Sequence, residues 1–551
     1  MIVIDIKSTA NKLLKGDVKG AAKDVSHQLE RTIGLVGVII ISLSAMLGSG
    51  LFVLPSLAAE MMGPGIWLAY VLAALVVLPG AISKSELASA MPTSGGDYIY
   101  IERTYGPLFG TIAGLGLWAS FLLKAAFALI GLSAYMLVVT IYFDIEIDMR
   151  IVSLVVLTLV VIINILGVKK IKAVQAPIVG LAVLLLMFLS FKALIFADID
   201  LSLPATSAFE ATPYTLAETA AFVFVAYAGV TKVAAIAEEV KNPGRNLPRG
   251  MIISLVAATV LYSAVAYMLM ATLDGVWWQV DGETVEDPIR LFAEHLGGST
   301  IGLIAAILAI FTMASMALAG ILAASRYLFA MARDNLLPQA LEDVNAKFET
   351  PHWPIILTGF MMGLAILFLP VKDVAKLASG FQIMIFIVVN SCVIVLRQVK
   401  TGHEWYQPTY TSPFYPFIQI WGIVGGIILV IVIGSKAYMG AGAAIVLGLT
   451  FYTLYGRKHA HPRITPFTTF CNEFRNPSGV EHNRREVAFH AADMGGKGHL
   501  TLKEFQVAMR ALHFPFSVEE CRIIFHEADN DETGVIDIDD FLETFEKAEI
   551  G

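Results

Sequence analysis

Cysteine and charge are both scarce in this chain, and the residues of common enzyme sites are scattered. Three cysteines in 551 residues exclude a disulfide framework, and no thiolate metal site is indicated. Charged residues make up only 15% of the sequence, which excludes an ordinary soluble protein. No nucleotide-binding loop, catalytic triad or metalloenzyme pattern is recognisable. We therefore expect neither an enzyme nor a partner of nucleic acid.

Hydrophobic sequence is abundant instead. Apolar residues account for 57% of the chain, which indicates a multi-pass protein of the lipid bilayer. One crossing takes roughly 20 apolar residues. The segments long enough to cross are 33–61, 65–91, 108–140, 150–167, 173–196, 215–239, 249–273, 300–330, 353–370, 374–398, 415–434 and 437–456. The predicted fold class is an all-α membrane protein of about twelve helices.

Lysine and arginine concentrate in alternate loops, which predicts the orientation of the chain. They cluster in residues 1–32 and again at 169–172, 241–249, 326–347 and 397–400. Because loops rich in these residues stay in the cytoplasm, we expect both termini to be cytoplasmic. The cell membrane is the expected location. The first 32 residues lack the apolar run of a signal peptide, so no cleavage is expected.

The first apolar segment is interrupted by Gly48-Ser49-Gly50. Two glycines in three residues weaken a helix, and lipid offers the exposed backbone no replacement hydrogen bonds. Such an interruption is tolerated where the backbone faces protein, water or a ligand, which makes it a candidate binding site. Ala228-Gly229 interrupts the sixth segment in the same way. Breaks five segments apart are the pattern of an inverted repeat of five plus five helices.

The composition changes abruptly after Gly456. Residues 457–483 are rich in proline and polar residues and are predicted to form a linker, whereas residues 484–551 are strongly acidic. We expect four parts: a cytoplasmic N-terminal segment at 1–32, a membrane domain at 33–456, the linker at 457–483, and a soluble all-α domain at 484–551.

The acidic domain contains the pattern of an EF-hand calcium loop at 529–540. Its Ca²⁺ ligands are predicted to be the side chains of Asp529, Asp531, Thr533, Asp537 and Asp540 and the carbonyl of Val535. The last ligand is an aspartate where glutamate is usual. The shorter side chain predicts weaker calcium binding or some tolerance of magnesium.

A second loop of the same length runs from Asp493 to Glu504. It keeps the first aspartate and the final glutamate of the EF-hand pattern. Gly495 and Lys497, however, stand where acidic or hydroxyl ligands belong. We expect this loop to bind calcium poorly or not at all and to serve as the structural partner of the other. The helical stretch at 503–514 resembles one helix of centrin and calmodulin, which implies an EF-hand pair.

Motifs of the membrane part occur in a characteristic order. Besides the two interruptions they include Pro92-Thr-Ser-Gly-Gly-Asp97, Asn164-Ile-Leu-Gly167, Lys241-Asn242-Pro243 and Ala324-Ser325-Arg326. Together they resemble the amino acid–polyamine–organocation (APC) superfamily of secondary transporters, over about residues 30–456. The resemblance implies discontinuous helices 1 and 6, amides of the first interruption that bind a substrate carboxylate, and carbonyls of the sixth helix that accept an ammonium group.

Carried onto this sequence, the resemblance places the substrate site at Gly48, Ser49, Gly50, Phe224, Tyr227, Ala228, Gly229 and Thr231. An alternative for the glycines is close packing between helices, and for the aromatic residues plain packing. Val225 and Thr231 replace a tryptophan and an acidic residue of relatives with cationic substrates. This difference argues against a pocket for arginine or diamines.

The coupling ion is left open between a proton and sodium. Ala182 stands where some proton-coupled relatives carry a lysine in the fifth helix. Ionisable groups at mid-membrane are costly and therefore suggest function, although a lysine can also pair with buried carbonyls or extend to the interface. The coupling candidates are Lys124, Lys232, Thr312 and Ser315.

These features predict a secondary transporter that moves an amino acid by alternating access. Calcium is expected to regulate it through the tail, which docks on the transporter body or on a partner protein. Two alternatives stay open: a cation–chloride or other inorganic-ion carrier on the same fold, and a nutrient-sensing receptor that binds its ligand without transporting it.

Overall fold

Helices form nearly all the regular structure in the computed structural model of this chain. The structure describes residues 33–91, 96–143, 148–167, 171–196, 199–230, 232–280, 282–345, 348, 350–399, 406–459, 465–475, 480–493, 496–512, 518–529 and 533–550. The predicted N-terminal segment at 1–32 therefore lies outside the described residues.

The helices of the membrane domain are α1 (Leu35–Met46), α2 (Ser49–Phe52), α3 (Leu54–Met62), α4 (Ile66–Ala90), α5 (Asp97–Tyr105), α6 (Pro107–Phe143), α7 (Met149–Leu166), α8 (Ile171–Phe196), α9 (Ser202–Glu210), α10 (Pro213–Tyr227), α11 (Pro243–Thr272), α12 (Pro288–Arg333), α13 (His352–Phe368), α14 (Val371–Gln398), α15 (Phe417–Val432) and α16 (Ser435–Phe451). The later helices are α17 (Arg457–His459), α18 (Pro466–Arg475), α19 (Val480–Ala492), α20 (Leu502–Ala511), α21 (Val518–Ala528) and α22 (Ile538–Ile550). The strands are β1 (Gln279–Val280), β2 (Glu283–Thr284), β3 (His499–Leu500) and β4 (Ile536–Asp537).

Each of the predicted membrane segments contains a helix. Among the described residues, nine helical stretches are long and apolar enough to cross a membrane, one of which joins α3 to α4, and α1, α13 and α15 are shorter apolar helices. The eighth segment differs most from its prediction, because α12 begins at Pro288 rather than at 300. Its extra residues precede Gly298, whose φ of 75° and ψ of 179° are not helical.

The helix contacts of the first five membrane segments have counterparts among the second five: if segments one to five and six to ten are interchanged, the same pairs are in contact. The second and third segments, α4 and α6, pack on the seventh and eighth, α11 and α12. The contact of α1 with α11 has its counterpart in that of α4 with α10, and the contact of α8 with α12 in that of α6 with α14. An inverted repeat of five plus five segments requires such pairs. The predicted fold class is confirmed.

Several short elements on the membrane domain are absent from the sequence prediction. They are α5, α9 and the antiparallel pair of β1 and β2, in which Gln279 lies opposite Thr284. Helices α5 and α9 have nine residues each. Two and a half turns are too short for hydrophobic periodicity to stand out.

The predicted linker contains a helix, α18, that packs on the membrane domain. It contacts α5 and α14. The ring of Phe467 lies 5.0 Å from that of Tyr105 and 6.5 Å from that of Phe109, and Thr469 is buried. The connection between the two domains is therefore held against the membrane domain at this helix.

The acidic domain has its own core and joins its two loops through a short ribbon. Strand β3 pairs with β4, with Leu500 opposite Ile536. The core includes Phe489, Phe505 and Phe541, with ring centroids 5.4 to 5.8 Å apart. Helices α19 and α22 contact each other, as do α20 and α21. This arrangement confirms the predicted EF-hand pair.

Candidate substrate and calcium sites

The first interruption consists of two backbone changes on either side of α2. Leu47 is extended (φ −67°, ψ 131°), and Gly48 takes a φ of 152° and a ψ of −132°. After one turn of helix, Val53 interrupts the chain again (φ −124°, ψ −43°). A φ of 152° favours glycine, so Gly48 permits the first change. Residues 48–50 are all buried within the domain.

Tyrosine hydroxyls replace hydrogen bonds that the interruption removes. The hydroxyl of Tyr70 donates to the carbonyl of Gly50 at 3.0 Å, and that of Tyr135 donates to the carbonyl of Phe52 at 2.6 Å. Buried carbonyl groups need such partners because no water reaches them. The second and third membrane segments thus stabilise the broken backbone of the first.

The second interruption ends α10 at Tyr227. The amide of Ala228 donates to the carbonyl of Val225, and that of Val230 donates to Tyr227. These bonds span three residues instead of four, and the chain continues as a 3₁₀ helix at Lys232–Glu239. The regular helix therefore stops at the predicted position.

The two interruptions lie directly against each other. A Cβ atom on Gly229 would be 2.1 Å from the carbonyl oxygen of Ala45, and one on Gly50 would be 2.8 Å from the Cβ of Ala226. Two backbone segments come this close only where a side chain is missing. The glycines that break the helices therefore also allow close packing between them, which was the alternative explanation for their presence.

Aromatic side chains surround this contact. Phe224 and Tyr227 are fully buried; Phe224 packs edge-on against Phe386 at 5.5 Å, and Tyr227 lies 5.3 Å from Tyr262. The Tyr227 hydroxyl donates to the carbonyl of Tyr70 at 3.1 Å. The buried hydroxyl of Tyr262 has no hydrogen-bond partner among the described residues. The wall around the interruptions is therefore mainly apolar, and the hydroxyl of Tyr262 is available to a ligand.

A small cavity beside the first interruption contains the two predicted lysines. It is lined by Ser44, Ala45, Phe121, Lys124, Ala125, Lys232, Met316, Ala319 and Gly320. The Nζ of Lys124 donates to the carbonyl of Ala45 at 3.0 Å, and the Nζ of Lys232 donates to the carbonyl of Ala319 at 3.0 Å. Its volume of about 20 Å³ is room for one water molecule. Residues far apart in the sequence thus meet here.

The remaining predicted residues of the membrane site lie elsewhere. The Thr312 hydroxyl donates to the carbonyl of Leu308 within its own helix at 2.6 Å. The carbonyl of Ser315 accepts a hydrogen bond from Gln175 at 3.2 Å. Neither residue is among the described residues that line the cavity. Thr231 lies outside the described residues.

Met316 of α12 touches both the first interruption and the cavity, and sequence reasoning missed it. A Cβ atom on Gly48 would lie 2.3 Å from its sulfur, and the Ser49 hydroxyl is 3.7 Å from the same atom. A methionine in an apolar segment gives no signal of a site, because apolar residues are the rule there.

Two buried ion pairs involving α4 were also missed. Lys84 lies 2.6 Å from Asp97 of α5. Glu86 accepts two hydrogen bonds from Arg397, at 2.7 and 2.6 Å, and one from the Tyr406 hydroxyl at 2.8 Å. Charged residues in an apolar helix were a usable signal. Their partners could not be named, because Arg397 lies 311 positions from Glu86.

Comparison with known families agrees with this geometry. The family model described as amino acid permease matches residues 33–455, which include both interruptions. The chain belongs to this family. The resemblance to APC transporters is thereby confirmed, and the permease is an integral multi-pass membrane protein. A second family model, for an EF-hand domain pair, matches residues 485–546.

Several relatives of the permease are transporters. The branched-chain amino acid permease BcaP of Bacillus subtilis is 28% identical over 80% of this chain and 96% of its own length. The methylthioribose transporter of the same organism is 27% identical over 80% of this chain and 96% of its own. Cationic amino acid transporter 1 of Arabidopsis thaliana is 26% identical over 68% of this chain and 64% of its own.

The EF-hand loop at 529–540 is closed around Asp529, the first of its predicted calcium ligands. The Asp529 carboxylate accepts the amide hydrogens of Thr533 at 2.9 Å and of Gly534 at 2.8 Å. The Thr533 hydroxyl lies 3.2 Å from the carbonyl of Val535. Asp531 lies outside the described residues. The described part of the loop therefore presents the oxygen donors that calcium prefers.

The last two predicted ligands of this loop, Asp537 and Asp540, are joined by a hydrogen bond. The amide of Asp540 donates to the carboxylate of Asp537 at 2.8 Å. Asp537 also belongs to strand β4, opposite His499 of the other loop. The two EF-hand loops are thus joined at Asp537, a predicted ligand of the loop at 529–540.

The loop at 493–504 contains its own positive charge. The Asp493 carboxylate accepts the amide of Lys497 at 3.0 Å, and the Nζ of Lys497 lies 3.2 and 3.5 Å from the carboxylate oxygens of Glu504. Burial raises the pKa of Glu504, but hydrogen bonds from Thr501 and Lys497 outweigh it and hold the pKa below its ordinary value. An ammonium group therefore neutralises the residue that would be the last calcium ligand.

Proposed function

We propose that this permease is a secondary active transporter of amino acids that works by alternating access in the cell membrane, with both termini in the cytoplasm. The observation that carries the proposal is the contact of the two interruptions, Gly229 against Ala45, at the centre of the domain. Amides at 48–50 can bind a carboxylate, and carbonyls near Ala228 can accept an ammonium group. The two charges of an amino acid would both be satisfied by backbone.

We infer further that the substrate has a neutral, apolar side chain. Phe224, Tyr227 and Tyr262 surround the interruptions, and an apolar wall of this kind favours an apolar group. The nearby cavity has Lys124 and Lys232 on its wall, and positive charge disfavours arginine or a diamine. The BcaP relatives from Bacillus subtilis and Lactococcus lactis, both named as branched-chain amino acid permeases, support the same substrate class.

Lys124 and Lys232 are the proposed coupling residues. Each places an ammonium group on a carbonyl of a helix that borders the first interruption, and such carbonyls are the kind of ligand that a coupling cation uses. Either this fixed charge replaces the cation throughout the cycle, or the ammonium releases its proton during it. Thr312 and Ser315 are the weaker candidates, since neither reaches the cavity.

Uptake by the purified full-length protein in liposomes tests the function. We expect leucine, isoleucine and valine to accumulate, and arginine and putrescine to stay outside. If leucine binds without accumulating, the protein is a receptor. If rubidium enters with chloride and no amino acid does, it is an ion carrier. In the same assay, a Lys124→Ala variant with wild-type pH dependence would remove this lysine from coupling.

We also propose that calcium at 529–540 regulates transport through α18. Sensor EF-hands change the angle between their helices on binding calcium. Helix α18 precedes the first EF-hand helix and packs on α14. On α14, the Ser379 hydroxyl accepts the amide of Val225 at 3.0 Å, and Phe386 packs on Phe224. Contacts thus lead from α18 through α14 to the second interruption, which supports the proposal.

A further inference from the structure

The described residues that line the cavity beside the first interruption include two lysines and no acidic residue. Among the described residues, Lys124 and Lys232 each have one hydrogen-bond acceptor, a backbone carbonyl. Among the side chains that the structure describes, the charged neighbour of Lys124 is Lys232 and that of Lys232 is Arg326, both of them cationic. Within the described part of the chain, neither ammonium group therefore has a carboxylate beside it.

Two ammonium groups that face one cavity repel each other, and an anion between them relieves this repulsion while both keep their protons. Their repulsion is strong because the surroundings screen it weakly. An ammonium group has three N–H donors, and the carbonyl of Ala45 or Ala319 takes only one. The remaining donors and the room for one water-sized particle define a site for a small anion.

We propose that this cavity binds one small monovalent anion, either a free halide or a carboxylate group, between Lys124 and Lys232. For a free halide the site goes beyond the proposed transport function; for the substrate carboxylate it rests on that function and places the carboxylate at the lysines instead of at the amides of 48–50. Its walls come from α1, α6, the 3₁₀ helix after the second interruption, and α12. An anion there joins the two interrupted segments to α6 and α12.

Thermal unfolding of the full-length protein in detergent tests the site. Sodium gluconate is replaced stepwise by sodium chloride, bromide or formate at constant ionic strength. A ligand bound only by the folded state raises the melting temperature, and we expect a saturable increase of roughly 2–5 °C with each small anion. Gluconate is too large for the cavity and is expected to have no such effect.

Three variants make the test specific. Lys124→Met and Lys232→Met are expected to lose the response. Lys436→Met is the matched control, since Lys436 is exposed and pairs with Asp373 elsewhere on the protein; it is expected to respond like the wild type. A wild-type protein that chloride, bromide and formate stabilise no more than gluconate does would overturn the proposal, even if the lysine variants do not fold.

Competition with leucine separates the two sources of the anion. If the stabilisation by leucine disappears in saturating chloride, the substrate carboxylate uses the cavity; if the two effects add, a free halide does. Either result requires the site, whereas an unchanged chloride response in both cavity variants contradicts it. Leucine uptake in liposomes without any anion response would leave the transport function standing and reject only the anion site.

Discussion

Glycine meets two different needs at the interruptions. Gly48 supplies a backbone angle that other residues rarely adopt, with a φ of 152°. Gly229 supplies space, because its missing side chain lets the chain approach the carbonyl of Ala45. Gly50 does the same beside Ala226. The same glycines therefore break the helices and allow the close packing, and binding of a substrate by their backbone groups stays a prediction.

Gly229→Ala is expected to abolish uptake of leucine. The added methyl group would lie 2.1 Å from a backbone oxygen, which cannot move aside as a flexible side chain does, so the two interruptions must separate. Overpacking of this kind costs about 1–3 kcal/mol, and the melting temperature should fall as well. Liposome uptake and thermal unfolding measure the two effects.

Gly442→Ala on α16 is the control for this change, because nothing lies within 4 Å of the position of its Cβ. It is expected to match the wild type in both assays. Wild-type uptake by Gly229→Ala would show that the close contact is not needed for transport.

The two EF-hand loops differ as elements although they share a ribbon. In the loop at 529–540 the carboxylate of Asp529 accepts two backbone amides of the loop. The other predicted ligand side chains offer oxygen atoms, and none of them is cationic. In the loop at 493–504 the ammonium of Lys497 stands beside Glu504. The ammonium group of Lys497 lets the loop at 493–504 close without a metal ion, because it already neutralises the carboxylate of Glu504.

The full-length protein is therefore expected to bind one calcium ion per chain. Isothermal titration should give a stoichiometry of one for the wild type and none for Asp529→Ala. Gly495→Asp combined with Lys497→Asp should add a second site, because it restores two ligands and removes the competing ammonium. Gly495→Asp with Lys503→Asp has the same charge change at a position that is not a ligand, and it should still bind one. Two ions bound by the wild type would contradict this account.

Across the whole molecule, α18 is the described contact between the tail and the membrane domain. Its Phe467 packs with Tyr105 of α5 and Phe109 of α6, and the helix also rests on α14. Helix α5 in turn provides Asp97 to Lys84. A movement of α18 would therefore reach α5 and α14, and α14 contacts the helix of the second interruption through Ser379 and Phe386.

Phe467→Ala is expected to make uptake insensitive to calcium while leaving calcium binding intact. The change removes the aromatic contacts that hold α18 on α5, so rearrangement of the tail no longer reaches α14. Uptake with calcium and with a chelator is compared in liposomes. Cys471→Ala, at an exposed position of the same helix, should keep the calcium response. A full response in Phe467→Ala would exclude this route.

Sequence reasoning reached those features that depend on local chemistry. The apolar segments were recognisable because lipid demands long apolar helices, and the interruption at Gly48 because two glycines weaken a helix there. The calcium loop at 529–540 was recognisable because its ligands follow one another in a single loop. Helix α5 was missed because nine residues show little periodicity, and its ion pair to Lys84 was missed because a sequence does not show which buried charges meet.

The sequence by itself determined the class of protein, the positions of both helix breaks and the residues of the calcium loop. Each of these follows from the conformational and solvation preferences of neighbouring residues. Only the tertiary structure decided that Gly229 lies on Ala45, that Lys124 and Lys232 share a cavity, and that the linker helix rests on α14. Those contacts join atoms from distant parts of the chain, and helix packing alone brings them within a few ångströms.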